Sequence, residues 1–109
     1  MRHPIWNEVG SVPIGSYQLD DLPGCTQVVV SHAVSIRKPF RGSGNGKRAH
    51  LDRLDAIGEY GYDYAIWTVE DNNEAQKMKL ADTGWHLLDQ FDSTKTGNTV
   101  NIYGRRIPQ

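Results

Sequence analysis

The segment Arg41-Gly42-Ser43-Gly44-Asn45-Gly46-Lys47 decides how the rest of this chain is read. It follows an apolar stretch with strand character and precedes a run with helical periodicity. Glycines let the backbone turn sharply and let a ligand approach the N–H groups closely. A helix starting at the loop adds unpaired N–H donors and a partial positive charge. Together these features make a phosphate site. The P-loop pattern Gly-x-x-x-x-Gly-Lys-Ser/Thr accommodates Gly46-Lys47 but puts Arg41 at the first glycine and Arg48 at the hydroxyl position, which excludes it. The dinucleotide pattern Gly-x-Gly-x-x-Gly/Ala is met by Gly44, Gly46 and Ala49. However, polar residues 37–41 separate strand from glycines, Asp63 begins the next strand instead of ending it, and 109 residues cannot supply that fold. A third pattern, Arg/Gln-x-x-Gly-x-Gly/Ala, is matched at every position by residues 41–46.

Working outward, residues 26–36 read as a strand with Val28, Val30, Val34 and Ile36 on one face and Val29 and Ala33 on the other. Apolar residues on both faces predict a central strand. Residues 45–60 are helical in period, with an apolar stripe of Leu51, Leu54, Ile57 and Gly58, and with Asp52, Arg53 and Asp55 off it. Residues 62–69 (YDYAIWTV) are aromatic and β-branched and predict a second inner strand. Asp71, Asn72 or Asn73 caps a helix running to about residue 83, with Ala75, Met78 and Ala81 at threefold spacing and Gly84 as its stop. Residues 86–93 and 99–107 form a hairpin around a turn at 94–98. Pro4, Gly10, Pro13, Gly15, Pro23 and Gly24 crowd the start, so residues 1–25 read as a loop-rich arm with at most one short strand near 8–14. The sum is an α/β domain with a mixed sheet, two inner parallel strands, two main helices and a C-terminal hairpin.

Length and composition agree with this. A chain of 109 residues carries one domain. With 38% hydrophobic and 23% charged residues it is neither disordered nor collagen-like, and no apolar run approaches a membrane span. The N-terminus lacks the apolar stretch of a signal peptide. The single Cys25 excludes an internal disulfide and a cysteine zinc cluster, and the four histidines lack metal-ligand spacing, so no metal is expected. These features predict a soluble cytoplasmic domain. The formal net charge is only −1, yet residues 37–53 hold Arg37, Lys38, Arg41, Lys47, Arg48 and Arg53 against Asp52. That local excess suits a polyanionic ligand. A nucleotide- or nucleic-acid-binding module is the less favoured alternative, because no aromatic residues interleave with the basic ones as a stacking platform requires.

The third loop pattern, together with its surroundings, resembles the GNAT superfamily of acyl-CoA-dependent N-acyltransferases. Members carry an apolar strand ending in a Val-x-Pro-x-Tyr-Arg-Gly-like run, and this chain has Ile36-Arg37-Lys38-Pro39-Phe40-Arg41-Gly42 with the proline one place late. Members then have a helix, a strand and Asn-x-x-Ala…Gly-Phe, and this chain has Asn72-Asn73-Glu74-Ala75…Gly84-Trp85. The likeness covers residues 26–107, a CoA-binding core within a single domain of residues 1–109.

The resemblance implies acetyl-CoA as co-substrate. Backbone N–H groups of Gly42, Ser43, Gly44, Asn45 and Gly46 would cradle its pyrophosphate, with charge from Arg41 and Lys47. Pantetheine would pair like an extra strand beside Val34, Ser35 and Ile36, and Asn72 would touch it. An amine acceptor, of a small molecule or a protein, would attack the thioester directly, with His32 or Glu70 as base. The family's general-acid tyrosine is replaced by Leu80, or by Lys79 in the alternative alignment, leaving Tyr103 as a substitute. The missing tyrosine also favours an alternative in which a catalytically inactive relative binds CoA for regulation. Members carry more chain before the core, on the acceptor side, so a second subunit (a homodimer) or a macromolecular acceptor would complete the site.

Overall fold

β-branched and aromatic stretches punctuated by glycine and proline build, among the described residues, six strands and two helices around one sheet. This computed structural model describes residues 2–6, 12–41 and 45–108. The elements are β1 (Arg2–Trp6), β2 (Pro13–Leu22), β3 (Cys25–Ile36), a 3₁₀ turn (Lys38–Phe40), α1 (Asn45–Glu59), β4 (Tyr64–Glu70), α2 (Glu74–Asp82), β5 (His86–Asp92) and β6 (Thr99–Arg106). The sheet order is β1-β2-β3-β4-β6-β5. β3 and β4 are parallel, joined by the α1 crossover, and every other pairing is antiparallel. The two inner parallel strands, the two helices and the C-terminal hairpin stand where the sequence puts them.

The start of the chain does not. Residues 1–25 were expected to form a loop-rich arm, but β1 pairs with β2 from Arg2↔Gln18 to Trp6↔Pro13, and β2 pairs with β3 along its length. Residues 7–11, where part of the expected short strand falls, lie outside the described residues. The prolines are compatible with strands because of where they sit. Pro4 lies in the outermost strand and Pro13 opens β2, the two places where a missing ladder donor costs little. Gly24, at φ 84°, makes the tight turn into β3. Ile5, Ile14, Tyr17 and Leu19 are buried, so this hairpin is part of the core.

The core lies on one face of the sheet. Strand alternation puts Tyr17 and Leu19 of β2, Val29 and Ser31 of β3, Ala65, Trp67 and Val69 of β4, and Asn101 and Tyr103 of β6 on that face, and all are buried. α1 packs on it, but not through the stripe its apolar residues predict. Ile57 is fully buried and Leu54 partly so, whereas Leu51 is 45% exposed. The polar residues His50 and Arg53 take the buried positions, at 1% and 2% exposure. In α2 the threefold set Ala75, Met78 and Ala81 is exposed, and Leu80 is the residue that enters the core. The opposite face carries half-buried Val28, Val30, Ile66 and Ile102. It grades into the outermost strand β5, in which no residue is buried.

Candidate active site

The parallel ladder between β3 and β4 is short: Val28↔Tyr64, Val29↔Ala65 and Val30↔Ile66. Beyond it β3 stays with β2 to Ile36, and β4 stays with β6 to Glu70. From Ser31 and Trp67 onward the facing edges therefore part, leaving main-chain groups that an extended ligand can pair with. A bulge adds to this. Between Gln18↔His32 and Ser16↔Ser35, β3 uses one residue more than β2. Such a bulge re-aims backbone groups and is common beside active sites. At the β4 side of the cleft a cavity of about 350 Å³ is lined by Trp67, Thr68, Val69, Glu70, Asn72, Asn73 and Gln76.

Several expected cofactor contacts gather at this cleft. Ser35 and Ile36 lie on the diverging part of β3, with Val34 beside them. Arg41 is exposed, and its Nε donates to the Ile36 carbonyl at 2.9 Å, fixing the guanidinium at the end of the strand. α1 starts at Asn45 with no acidic residue in its first turn, so nothing there offsets the helix dipole. Gly42, Ser43 and Gly44 lie outside the described residues, as do the side chains of Val34, Asn45, Gly46 and Lys47. Asn72 faces the cavity, and the N-cap of α2 falls to Asn73, whose Oδ1 accepts from the Gln76 N–H at 3.2 Å. The turn presenting Asn72 is pinned by its neighbour: Asp71 accepts from Lys77 Nζ at 2.8 Å and from Asn101 Nδ2 at 3.0 Å. These bonds, Lys77's first, hold the Asp71 carboxyl below its usual range.

The three candidate acid–base residues are divided between the faces. His32 lies on the helix-free face, two residues beyond the last parallel pair. Its Nε2 donates to Asp20 Oδ2 at 2.6 Å, a carboxylate being an acceptor only. In the neutral imidazole this bond selects the tautomer whose Nδ1 carries the lone pair. Glu70 ends β4, exposed at the cavity rim, and accepts from Asn98 Nδ2 at 3.3 Å. Tyr103 is 8% exposed in the core on the helical side, directly across from Trp67 and away from His32.

Three residues of this region were not singled out as site residues by the sequence. Asp20 pairs with His32 only because β2 and β3 form a hairpin, and recognising the Pro23-Gly24 turn would have brought the two together. His50 and Arg53 form a buried polar layer where the strands part. Arg53 stacks on the Trp67 ring, 3.3 Å from its centroid, and donates to Ser31 Oγ at 2.9 Å and to His50 Nδ1 at 3.1 Å. His50 passes the chain on, Nε2 donating to Thr83 Oγ1 at 2.7 Å, and that hydroxyl donating to the Lys79 carbonyl. His50 is thereby fixed as neutral. Burial first, then Arg53, pull its pKa down to about 3. Arg53, expected among the solvated cations facing a polyanion, is instead inside. Among the described residues no group of three or more His, Cys, Asp or Glu side chains is arranged to hold a metal, and no helix is long and apolar enough to cross a membrane.

No family model matches the chain, and no curated protein matches it in sequence. Solved structures match its fold. A candidate phosphinothricin N-acetyltransferase superposes with a TM-score of 0.82 at 14% identity, covering 99% of this chain and 72% of that one. A GCN5-related N-acetyltransferase from Kribbella flavida gives 0.78 at 18% identity, covering 96% and 66%. A candidate acetyltransferase from Salmonella typhimurium, solved with its cofactor acetyl-CoA, gives 0.78 at 18% identity, covering 94% and 62%. The chain has the GNAT fold.

Proposed function

We propose that this chain is an acetyl-CoA-dependent N-acetyltransferase, acting in the cytoplasm on an amine of a small molecule or protein. The observation that carries the reading is the parting of β3 and β4 beyond Val30 and Ile66, with the cavity at Trp67–Glu70, Asn72, Asn73 and Gln76 beside it. A slot between two strand edges fits a ligand with an extended arm bearing two amides. The start of α1, with no acidic residue in its first turn, would take the diphosphate at the other end of that ligand. Arg41, Gly42, Ser43, Gly44, Asn45, Gly46 and Lys47 would hold the diphosphate, and Val34, Ser35, Ile36 and Asn72 the arm. Acetyl-CoA supplies an activated acyl group, and the chain's own part is to orient it and to deprotonate the amine. Orientation alone accounts for much of the rate.

The base in this reading is His32 Nδ1. Its ring is held by the Asp20 carboxylate on the helix-free side of the cleft, the base-and-orienter arrangement of activated sites. Glu70 at the other rim is the second choice. Tyr103, packed beneath the helices, has no part in the proposed step. A main-chain N–H of the bulged segment of β3 would polarise the thioester carbonyl.

One observation favours a second reading. Leu80, at the position where the family carries its acid tyrosine, is fully buried. A CoA-binding relative without turnover would show the same feature. Titration calorimetry tests the shared premise: acetyl-CoA binds at submillimolar concentration, and Gly44→Val abolishes binding by blocking approach to the backbone. Absence of binding to the wild type overturns both readings. A thiol-release assay over amines and lysine peptides separates them. Turnover that falls by about 10²- to 10⁴-fold in His32→Gln supports the enzyme, and binding without any release supports the inactive relative.

A further inference from the structure

Arg53 is a buried cation with no anion beside it among the described residues. Its neighbours are Tyr17 from β2, Ser31 from β3, Trp67 from β4 and His50 on its own helix. None of the four carries charge at neutral pH. His50 is neutral for the reasons given, and burial pushes the Tyr17 hydroxyl up, against a smaller opposing pull from Arg53 itself. Burial lowers Arg53 to about 9, which leaves it protonated at neutral pH. Its Nε is buried without a hydrogen-bond partner among the described residues. Buried charges are ordinarily paired, and truncation or isolation of one is costly. A leucine here would fill the space at no such cost, as Ile57 does one turn on. Ser31 and Trp67, which Arg53 touches, are the first residues of β3 and β4 after their ladder ends, so the guanidinium sits on the helical side of the vertex of the cleft.

We infer that Arg53 is the electrostatic residue that stabilises the negative charge acyl transfer puts on the CoA sulfur, a role that takes the place of an acid. This rests on the acetyltransferase reading above. The amine nitrogen gives its pair to the thioester carbonyl carbon, forming the C–N bond. The C–S bond breaks with its pair going to sulfur, and the proton lost by the nitrogen goes to His32 Nδ1. CoA leaves as the thiolate and takes a proton from water afterwards. Arg53 acts at a distance through a low-dielectric layer, where a fixed charge is worth more than in water. This accounts for the buried Leu80 where a proton donor was expected: with a cation beneath the sulfur, no donor is required.

The test measures a protonation state, not a rate. Free CoA and its S-methyl thioether are bound to the wild type at slightly alkaline pH, below the ordinary thiol range. Calorimetry in two buffers of different ionisation enthalpy counts the protons released. The expected result is extra proton release with CoA over the thioether, reporting roughly tenfold more thiolate when bound than when free. Thiolate ultraviolet absorbance of the bound ligand gives the same quantity independently. The excess disappears in Arg53→Met and survives in Arg53→Lys, each checked for the wild-type affinity toward the thioether. Binding of both ligands with equal proton release in the wild type overturns this inference and leaves the acetyltransferase reading standing. An excess that persists in Arg53→Met removes Arg53 from the role. Failure of either ligand to bind the wild type overturns both.

Discussion

At the residue scale, His50 carries a cost that shows in the pH dependence of stability. Burial and Arg53 pull its pKa from 6.5 to about 3 in the folded chain. A group with a depressed folded pKa binds fewer protons folded than unfolded between those two values. Its unfavourable protonation is not felt above the unfolded pKa, and stability is lost as pH falls from about 6.5 toward 3. The slope from this one residue approaches about 1.4 kcal/mol per pH unit between roughly pH 6 and 4. Urea unfolding at several pH values in that window checks it. His50→Gln keeps a donor and an acceptor but cannot titrate, so its stability falls less steeply with pH than the wild type's. An identical slope in both would mean that His50 is solvated in the folded state. Nothing in the sequence announces this residue. His50 and Arg53 are three apart on a helix whose leucines advertise a different stripe, and polar residues off an apolar stripe ordinarily face water. What overrides the rule is the Trp67 face they stack on, a contact made by tertiary packing alone.

At the element scale, the start of α2 separates two roles that the run Asp71-Asn72-Asn73 leaves merged. Each of the three residues is a good cap by type, so composition cannot choose between them. The structure gives the cap to Asn73 and turns Asn72 toward the cavity. Asn73→Ala should therefore lower stability by about 1 kcal/mol, read as a shift in urea midpoint, with little effect on CoA affinity. Asn72→Ala should leave the midpoint in place and weaken CoA binding. The reverse pattern would return the cap to Asn72. Elements with strong periodic or compositional signals were legible: β3, α1, β4 and the C-terminal hairpin lie within a residue or two of their expected bounds. The β1–β2 hairpin was not, because proline and glycine are read as breakers wherever they occur. Their cost depends on which edge of the sheet the missing N–H faces, and that is known only once the strand order is known. With the hairpin went Asp20, and so the partner that orients His32.

For the molecule as a whole, the sequence points mainly to the cofactor side of the proposed site, because a loop-and-helix signature is local in sequence. In the proposed reading the acceptor would meet the face opposite the helices. On that face Val28, Val30, Ile66 and Ile102 are only half-buried, and Leu88 and Phe91 of the outermost strand are 51% and 49% exposed. His32 opens onto the same face. An apolar strip running into a hydrophobic edge strand is the kind of surface that proteins keep covered. A second copy of this chain would cover it isologously and enclose His32 at the same time. Light scattering coupled to gel filtration should then give the mass of a dimer at micromolar concentration. Leu88→Lys combined with Phe91→Lys should give a monomer that still binds CoA, since the parted edges of β3 and β4 are left intact, but has lost turnover of small amines. A wild-type chain that is strictly monomeric would leave the face to a macromolecular acceptor. Turnover would in that case be confined to protein or peptide substrates, and the same two substitutions would raise KM for them without altering CoA affinity.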